Sequence, residues 1–498
     1  MMKNLRKNVV FTGIGYLLPL IAALATIPVI VSKLGIDLYG LYIICVSLIG
    51  FMTLVDLGIG QTVIKYVAEY EATGRQDKVK PVLGVAFLIY LVIGLGSAVC
   101  LYAIAPLLAH GLYASAEKVA LAIESLRIAV VPLFFSYVNQ FFLNICKAYH
   151  RFDFPAIIHN MGNLGGIFLT TALLLMGYGL EDVMWGYAFV QFVTLLGGYL
   201  ASTYVLPQHI KARPVFEQNV FMEIVSFSAY TFVGNFIGSL VSRADKLLIG
   251  LVIGTEAVTY YQIPFTIAQM ANGIIHTLVH ITFPYFSEMF SLRDRDGLLR
   301  LYRLANAIVF LTSMMIAVML IVVGGDFLAL WISPAFSQQA SLILQVMAVY
   351  FFLHSNTVVG YWVLQGAGQA KLTAFMSVAD AFAYFVALYY LGNSFGSIGA
   401  AVALFFTLWT IPLQYIWIDR HIGHRWSEYV MQLLSFLLAG CVMIYLLESL
   451  NLWLAHSFLG IMVCSVLSLL VLMLALWVVL GRGRQQIRGV VLKKIIPA

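Results

Sequence analysis

Two cations in an otherwise apolar stretch are the strongest candidates for chemistry in this sequence. Arg243 and Lys246 stand three positions apart, so they share one face of the helix predicted there. A charge near a helix centre costs roughly 2.5–3.5 kcal/mol on insertion scales, and such groups therefore face a polar cavity or a partner. Two cations on one face predict binding of a phosphate or an acidic sugar. The alternatives are an ion pair with Asp245 or another carboxylate, and snorkelling to the interface.

Three further charges lie in apolar runs. Arg127 follows Glu124 by three positions, a spacing that suits an ion pair with that carboxylate. The alternatives are that Arg127 lines a cavity or extends its side chain to the interface. Asp380 lies near the middle of its run, where a short side chain snorkels least. It pairs with a cation or takes up a proton that couples transport to the proton gradient. Asp56 is a lesser candidate for the same role.

Polar residues that could bind a metal give a weaker signal. His276 and His280 are four positions apart, which suits a metal ion on one helix face, but no third ligand is nearby. Lining of a polar cavity or hydrogen bonding between helices is the default for them, as it is for His354 and Asn356. We expect no metal and no cofactor. Since the sequence has no Gly-rich nucleotide loop, ATP-driven transport is not expected either.

The composition places these residues in a membrane. Of the 498 residues 62% are hydrophobic and 10% are charged, too few charges to cover a soluble surface. Long continuous apolar runs favour helices over a closed barrel. The expected fold is an all-α polytopic membrane protein with about fourteen spans. These are 9–31, 41–64, 82–108, 123–143, 156–176, 183–206, 224–252, 258–283, 304–323, 341–364, 372–391, 399–418, 430–447 and 458–480.

The distribution of basic residues predicts the orientation. With an even number of spans both termini share one side, and most of the 28 lysine and arginine residues fall on that side. The positive-inside rule makes it cytoplasmic. The net charge of +6 therefore reports topology and requires no nucleic acid partner. The predicted loops are too short for a soluble catalytic domain.

A shift of 219 residues aligns the chain with itself. It places Gly35 on Gly254 and Tyr42 on Tyr261, and it carries spans one to six onto seven to twelve. Six spans per repeat give parallel repeats with a cleft between them. The predicted organisation is an N-lobe over 1–207, a cytoplasmic linker over 208–223, a C-lobe over 224–420, and two further spans with a basic cytoplasmic tail over 421–498.

Several short motifs carry a resemblance to a known family. They are LGIDLYGLY at 34–42, DLGIG at 56–60, DKLLIG at 245–250 followed by Tyr260 and Tyr261, and QGAG at 365–368. With the plan of six, six and two spans, the chain resembles the multidrug/oligosaccharidyl-lipid/polysaccharide exporter superfamily. Within it, the sequence is most similar to the bacterial oligosaccharide flippases of the Wzx type.

The resemblance implies a function in the bacterial cytoplasmic membrane. Such flippases move an undecaprenyl-diphosphate-linked oligosaccharide, for instance an O-antigen repeat unit, from the cytoplasmic to the outer leaflet by alternating access. They form no covalent bond, and membrane lipids and a polysaccharide polymerase complex are expected partners. Arg243, Lys246 and Arg127 would then line a cationic cleft. The rivals are a multidrug cation antiporter of the same superfamily and a membrane glycosyltransferase or polymerase.

Overall fold

The computed structural model describes most of the chain as helix. The residues described are 2–54, 59–207, 214–222, 224–225, 228, 244–280, 282–453 and 458–487, and for some of them, His276 and His280 among them, the backbone alone. Within these ranges ten helices are long and apolar enough to cross a membrane. The chain is therefore a multi-pass helical membrane protein. The number of about fourteen spans stays a prediction, since most of span seven lies outside the described ranges.

The helices follow the apolar runs closely, as expected where every backbone hydrogen bond must be made internally. In the first half they are α1 Met2–Leu54, α2 Ile59–Ala72, α3 Gln76–Leu112, α4 Ala116–Ile128, α5 Val130–Ala148, α6 Asp153–Leu175 and α7 Leu180–Val205. They continue with α8 Thr255–His280, α9 Phe283–Ser291, α10 Arg295–Trp331, α11 Pro334–Ser355, α12 Val358–Gly366, α13 Ala370–Ala403, a 3₁₀ turn Leu404–Leu408, α14 Ile411–Ile422, α15 Trp426–Trp453 and α16 Phe458–Ile487.

Glycines with positive φ divide two of the longest helices. The backbone leaves the helical region at Gly35 in α1, with φ 78°, and at Gly396 in α13, with φ 61°. Glycine adopts such angles without a steric penalty. Each break separates two apolar segments, as the predicted boundaries between spans one and two and between spans eleven and twelve require. Gly254, which the predicted repeat aligns with Gly35, also has positive φ, at 130°.

The chain forms two compact units, Met1–Thr259 and Tyr260–Ala498. In the first unit α5 packs against α3 and α7. The Phe87 and Phe141 rings stack there with centroids 4.7 Å apart, and buried Asn144 donates to the Tyr90 hydroxyl at 3.0 Å. The predicted lobe boundary at 208–223 stays a prediction, because residues 208–213 and 223 lie outside the described part of the chain.

The second unit is built around α10. Its hydrophobic core includes Tyr302, Phe310 and Val322, and α11, α15 and α16 pack against that helix. The last two helices are peripheral, with only 11% and 17% of their most apolar windows buried. Their other faces expose leucine, valine and methionine side chains, as expected of helices against lipid. α11–α14 are the elements that position the site described next.

Candidate functional site

A polar cavity of about 240 Å³ lies inside the second unit. It is formed where the end of α11, α12, the first half of α13 and the start of α14 approach each other. Its polar lining holds one carboxylate, several hydroxyl groups, an amide and an imidazole. The lining residues are His354, Thr357, Val358, Tyr361, Leu364, Thr373, Met376, Ser377, Asp380, Thr407, Thr410, Ile411 and Gln414.

Asp380 is the only carboxylate among the described residues that line the cavity. Its Oδ2 accepts a hydrogen bond from the Thr410 hydroxyl at 3.0 Å. Its Oδ1 is buried and has no hydrogen-bond partner among the described residues. A buried carboxylate oxygen without a donor carries a full desolvation cost, which a proton, a cation or a water molecule in the cavity would offset. Asp380 therefore brings a carboxylate with one unsatisfied oxygen to the wall of the cavity.

Local sequence features bring the cavity walls together. Thr373, Ser377 and Asp380 are spaced by four and three positions on α13, so their side chains share one face. Pro412 occupies the first turn of α14, where a missing backbone donor is tolerated. Gly360 allows the close approach of Gln414, since a Cβ at that position would overlap with the Gln414 amide. That amide then donates to the Thr357 carbonyl oxygen at 2.8 Å.

The size of the cavity limits what it can bind. Drug-sized ligands occupy pockets of roughly 300–1,000 Å³, and a water molecule takes up about 30 Å³. A space of about 240 Å³ is too small for an oligosaccharide repeat unit. Oxygen-rich walls around one carboxylate suit a small hydrated cation or a proton with its waters. The cavity is thus a candidate coupling site rather than the path of a large substrate.

Of the polar residues that the sequence singled out, His354 joins Asp380 in this cavity. Asn356, only two positions further, does not line it. Its side chain is fully buried and donates to the Phe352 carbonyl at 2.6 Å and to the Ser313 hydroxyl at 3.3 Å. Asn356 thus holds α11 to α10, which is the helix-to-helix hydrogen bonding given as its alternative role.

Of the two cations predicted to share a helix face, Lys246 is among the described residues. Lys246 is 5% exposed, and its ammonium lies 2.8 Å and 2.9 Å from the two carboxylate oxygens of Asp245, itself 1% exposed. This ion pair is the alternative that the sequence analysis set beside substrate binding. Arg243 and Asp56 lie outside the described residues, as do the side chains of His276 and His280.

Arg127 lies on an exposed part of the first unit. Its guanidinium carbon is 4.6 Å from the centroid of the Tyr102 ring, a cation–π contact. The anticipated ion pair with Glu124 is absent from the ion pairs of the described residues. Arg127 and Lys246 thus have different partners among the described residues, the Tyr102 ring and the Asp245 carboxylate.

Sequence reasoning missed most of the cavity. Thr410, Gln414, Thr357 and Ser377 carry no motif, and hydroxyl residues are common in membrane helices. One signal was available, namely the spacing of Thr373, Ser377 and Asp380 on a single helix face. The partner elements could not be deduced, because the residues from α11, α12 and α14 come from other parts of the sequence.

Comparisons with known proteins fit this architecture. The chain is 21% identical over 400 residues to the "Putative O-antigen transporter" of Shigella flexneri, covering 80% of this chain and 93% of that protein. It is 20% identical over 390 residues to the uncharacterized membrane protein MJ1068 of Methanocaldococcus jannaschii, covering 74% of each.

Solved structures share the fold. The lipid II flippase MurJ in an inward closed conformation matches with a TM-score of 0.72 and 14% identity, over 96% of this chain and all of that one. An inward-facing multidrug resistance MATE transporter of the MOP superfamily gives a TM-score of 0.67 and 14% identity, over 82% of this chain and 94% of that one. Residues 5–290, more than half of the chain, match the family described as polysaccharide biosynthesis protein. The chain therefore belongs to the polysaccharide biosynthesis protein family, on a fold shared with MOP-superfamily flippases and transporters.

Proposed function

We propose that this membrane transporter flips an undecaprenyl-diphosphate-linked oligosaccharide, such as an O-antigen repeat unit, from the cytoplasmic to the outer leaflet. The observation that carries the proposal is the family match over residues 5–290, supported by similarity to an O-antigen transporter over 80% of the chain. The bacterial cytoplasmic membrane is the corresponding location, with both termini inside. The mechanism we propose is alternating access of the two six-span repeats, with Arg243 and Lys246 meeting the diphosphate.

The C-terminal helices support a lipid-linked substrate. MurJ covers 96% of this chain and the MATE transporter 82%. The part of this chain that MurJ covers beyond the MATE transporter is about as long as α15 and α16 together. These two helices span most of residues 426–487. Their exposed apolar faces offer a surface along which a polyprenyl tail could remain in lipid while the sugar crosses.

The Asp380 cavity supplies a coupling site in this proposal. Moving a charged diphosphate across the membrane needs a driving force, and no nucleotide-binding motif is present in the sequence. Binding of a proton, or of another small cation, at Asp380 would change the charge inside the second unit. A cation that binds one conformation better than the other shifts the equilibrium between them.

Removal of the gene from its host tests the function directly. We expect loss of surface polysaccharide and accumulation of the undecaprenyl-diphosphate-linked unit in the cytoplasmic leaflet, both reversed by the wild-type chain. Normal surface polysaccharide in the deletion strain would refute the proposal. Two further measurements address the rivals: resistance to cationic dyes on expression would favour the multidrug antiporter, and sugar transfer by the purified protein would favour a glycosyltransferase or polymerase.

A further inference from the structure

A second cavity, of about 540 Å³, opens on the surface of the first unit. Glu124, Arg127 and Trp185 line it, together with small and aliphatic residues of α4 and α5. The Trp185 and Tyr102 side chains beside it are 55% and 51% exposed. Exposed aromatic rings of this kind are typical of the membrane–water interface. The proposed transport function makes no use of this cavity.

The position of the cavity along α7 places it at the level of the lipid headgroups. Trp185 lies five residues from the start of α7 at Leu180, or roughly 8 Å at 1.5 Å per residue. The start of α7 is on the side that the basic residues predict to face outward. Along the same helix Phe189 and Phe192 are also exposed, which suits contact with acyl chains. A groove of this composition is accessible from the outer leaflet.

The charges in the groove are separated rather than paired. Glu124 and Arg127 are three positions apart on α4, yet they form no ion pair in the described structure. The only contact of the Arg127 guanidinium among the described residues is the Tyr102 ring. Its donors therefore remain available for an anion, and a guanidinium matches a phosphate with two parallel hydrogen bonds.

The acidic side of the groove needs a cation. Glu124 lines the same groove one helical turn before Arg127 and has no ion-pair partner among the described residues. A positive group placed beside this carboxylate would stabilise its charged form. Arg127 does not supply that group. An ammonium from a ligand that places its phosphate on Arg127 would.

We infer that this groove binds a phospholipid whose headgroup carries a phosphate and a primary ammonium, of the phosphoethanolamine type, from the outer leaflet. Arg127 takes the phosphate, Glu124 takes the ammonium, and Trp185 and Tyr102 hold the glycerol region at the interface. A headgroup with phosphate alone satisfies only Arg127. A trimethylated ammonium brings no N–H donor for the carboxylate.

The experiment compares lipids bound to the full-length protein. Delipidated protein is incubated with equal amounts of phosphatidylethanolamine, phosphatidylglycerol and phosphatidylcholine, and the lipids retained are counted by native mass spectrometry. We expect phosphatidylethanolamine to be preferred by about tenfold, the effect of one charge-assisted hydrogen bond. Equal retention of the three lipids would overturn the inference without any variant.

Two substitutions separate the two halves of the headgroup. Arg127→Gln should lower retention of all three lipids, whereas Glu124→Gln should keep phosphate binding and abolish the preference for phosphatidylethanolamine. Arg127→Lys keeps the charge but cannot form the two parallel hydrogen bonds of the guanidinium. Its lipid retention should lie between those of wild type and Arg127→Gln. The matched control is Arg151→Gln, since that guanidinium also covers an aromatic ring, Phe154 at 4.3 Å, but is paired with Asp153 at 2.8 Å. Wild-type selectivity in Glu124→Gln would refute the ammonium site.

Discussion

The Asp37 carboxylate accepts a hydrogen bond from the Thr255 hydroxyl, 218 positions further along the chain. The same carboxylate receives the Lys118 ammonium at 2.6 Å and the Tyr113 hydroxyl at 3.1 Å. Thr259 adds a hydrogen bond to the Ile36 carbonyl oxygen at 2.6 Å. Under the 219-residue repeat, Ile36 corresponds to Thr255. The turn after span one therefore contacts the start of α8, the segment with which the predicted 219-residue repeat aligns it.

This contact depends on a glycine. A Cβ at Gly40 would overlap with the Thr255 carbonyl oxygen, so Gly40→Val must push the turn and the start of α8 apart. We expect its thermal unfolding midpoint to fall by on the order of 5 °C in detergent. Gly96→Val is the control, because nothing lies within 4 Å of a Cβ at Gly96. Equal midpoints for the two variants would show that the contact does not stabilise the fold.

The sequence predicts helices far better than it predicts contacts between them. Long apolar runs define the spans, since lipid leaves the backbone no other partner, and the glycines at 35, 254 and 396 mark their turns by conformational freedom. The Asp380 cavity depends on three other segments of the chain, which no local pattern specifies. The ion pair of Lys246 with Asp245 was one of two alternatives at that position, and sequence could not choose between them because a long flexible side chain can fold back onto an adjacent carboxylate.

Replacement of Asp380 should uncouple transport. Asp380→Asn keeps the size and the hydrogen bond from Thr410 but removes the charge that a coupling cation needs. We expect oligosaccharide export to fall within the range of roughly 5–150-fold typical of coupling between sites, and the remaining export to lose its dependence on the proton gradient. Export is measured as surface polysaccharide at equal protein level and as flipping in proteoliposomes with and without a gradient.

Asp326 offers the matched control for that experiment. Its carboxylate is also in the second unit and accepts a hydrogen bond from Asn451 at 2.6 Å, but it does not line the cavity. Asp326→Asn should leave the gradient dependence intact. If Asp380→Asn also kept full, gradient-dependent export, the cavity would have no part in coupling.

The ion pair of Lys246 and Asp245 permits a double-mutant cycle. Lys246→Gln leaves a buried carboxylate without its ammonium partner, which costs about 3–5 kcal/mol. Adding Asp245→Asn should recover most of that stability, since the two changes are coupled. Unfolding midpoints of the single and double variants measure the coupling.

Export by the double variant then separates the two roles of Lys246. A stable double variant that still exports polysaccharide would assign Lys246 to structure alone. A stable double variant without export would support the proposed contact between the ammonium and the substrate. Additive losses of stability in the cycle would contradict the ion pair itself.

A buried histidine, His424, lies between the end of α14 at Ile422 and the start of α15 at Trp426. His424, 2% exposed, packs edge-on against the Tyr302 ring with centroids 5.0 Å apart. Its Nε2 is 3.8 Å from the Glu428 carboxylate, which Arg303 also binds at 2.8 Å. Burial is the largest cause that lowers the pKa of His424 below its ordinary value of 6.5, and the Arg303 charge adds to it against the opposing effect of Glu428.

The lowered pKa of His424 predicts a loss of stability in acid. Between the folded and the ordinary pKa the unfolded chain binds more protons, so the contribution of neutral His424 is complete above about pH 6.5 and disappears as pH falls through the folded pKa. Unfolding midpoints from about pH 8 to about pH 5 should therefore decline more steeply for wild type than for His424→Asn, which cannot be protonated. Parallel curves for the two proteins would show that another group causes the decline.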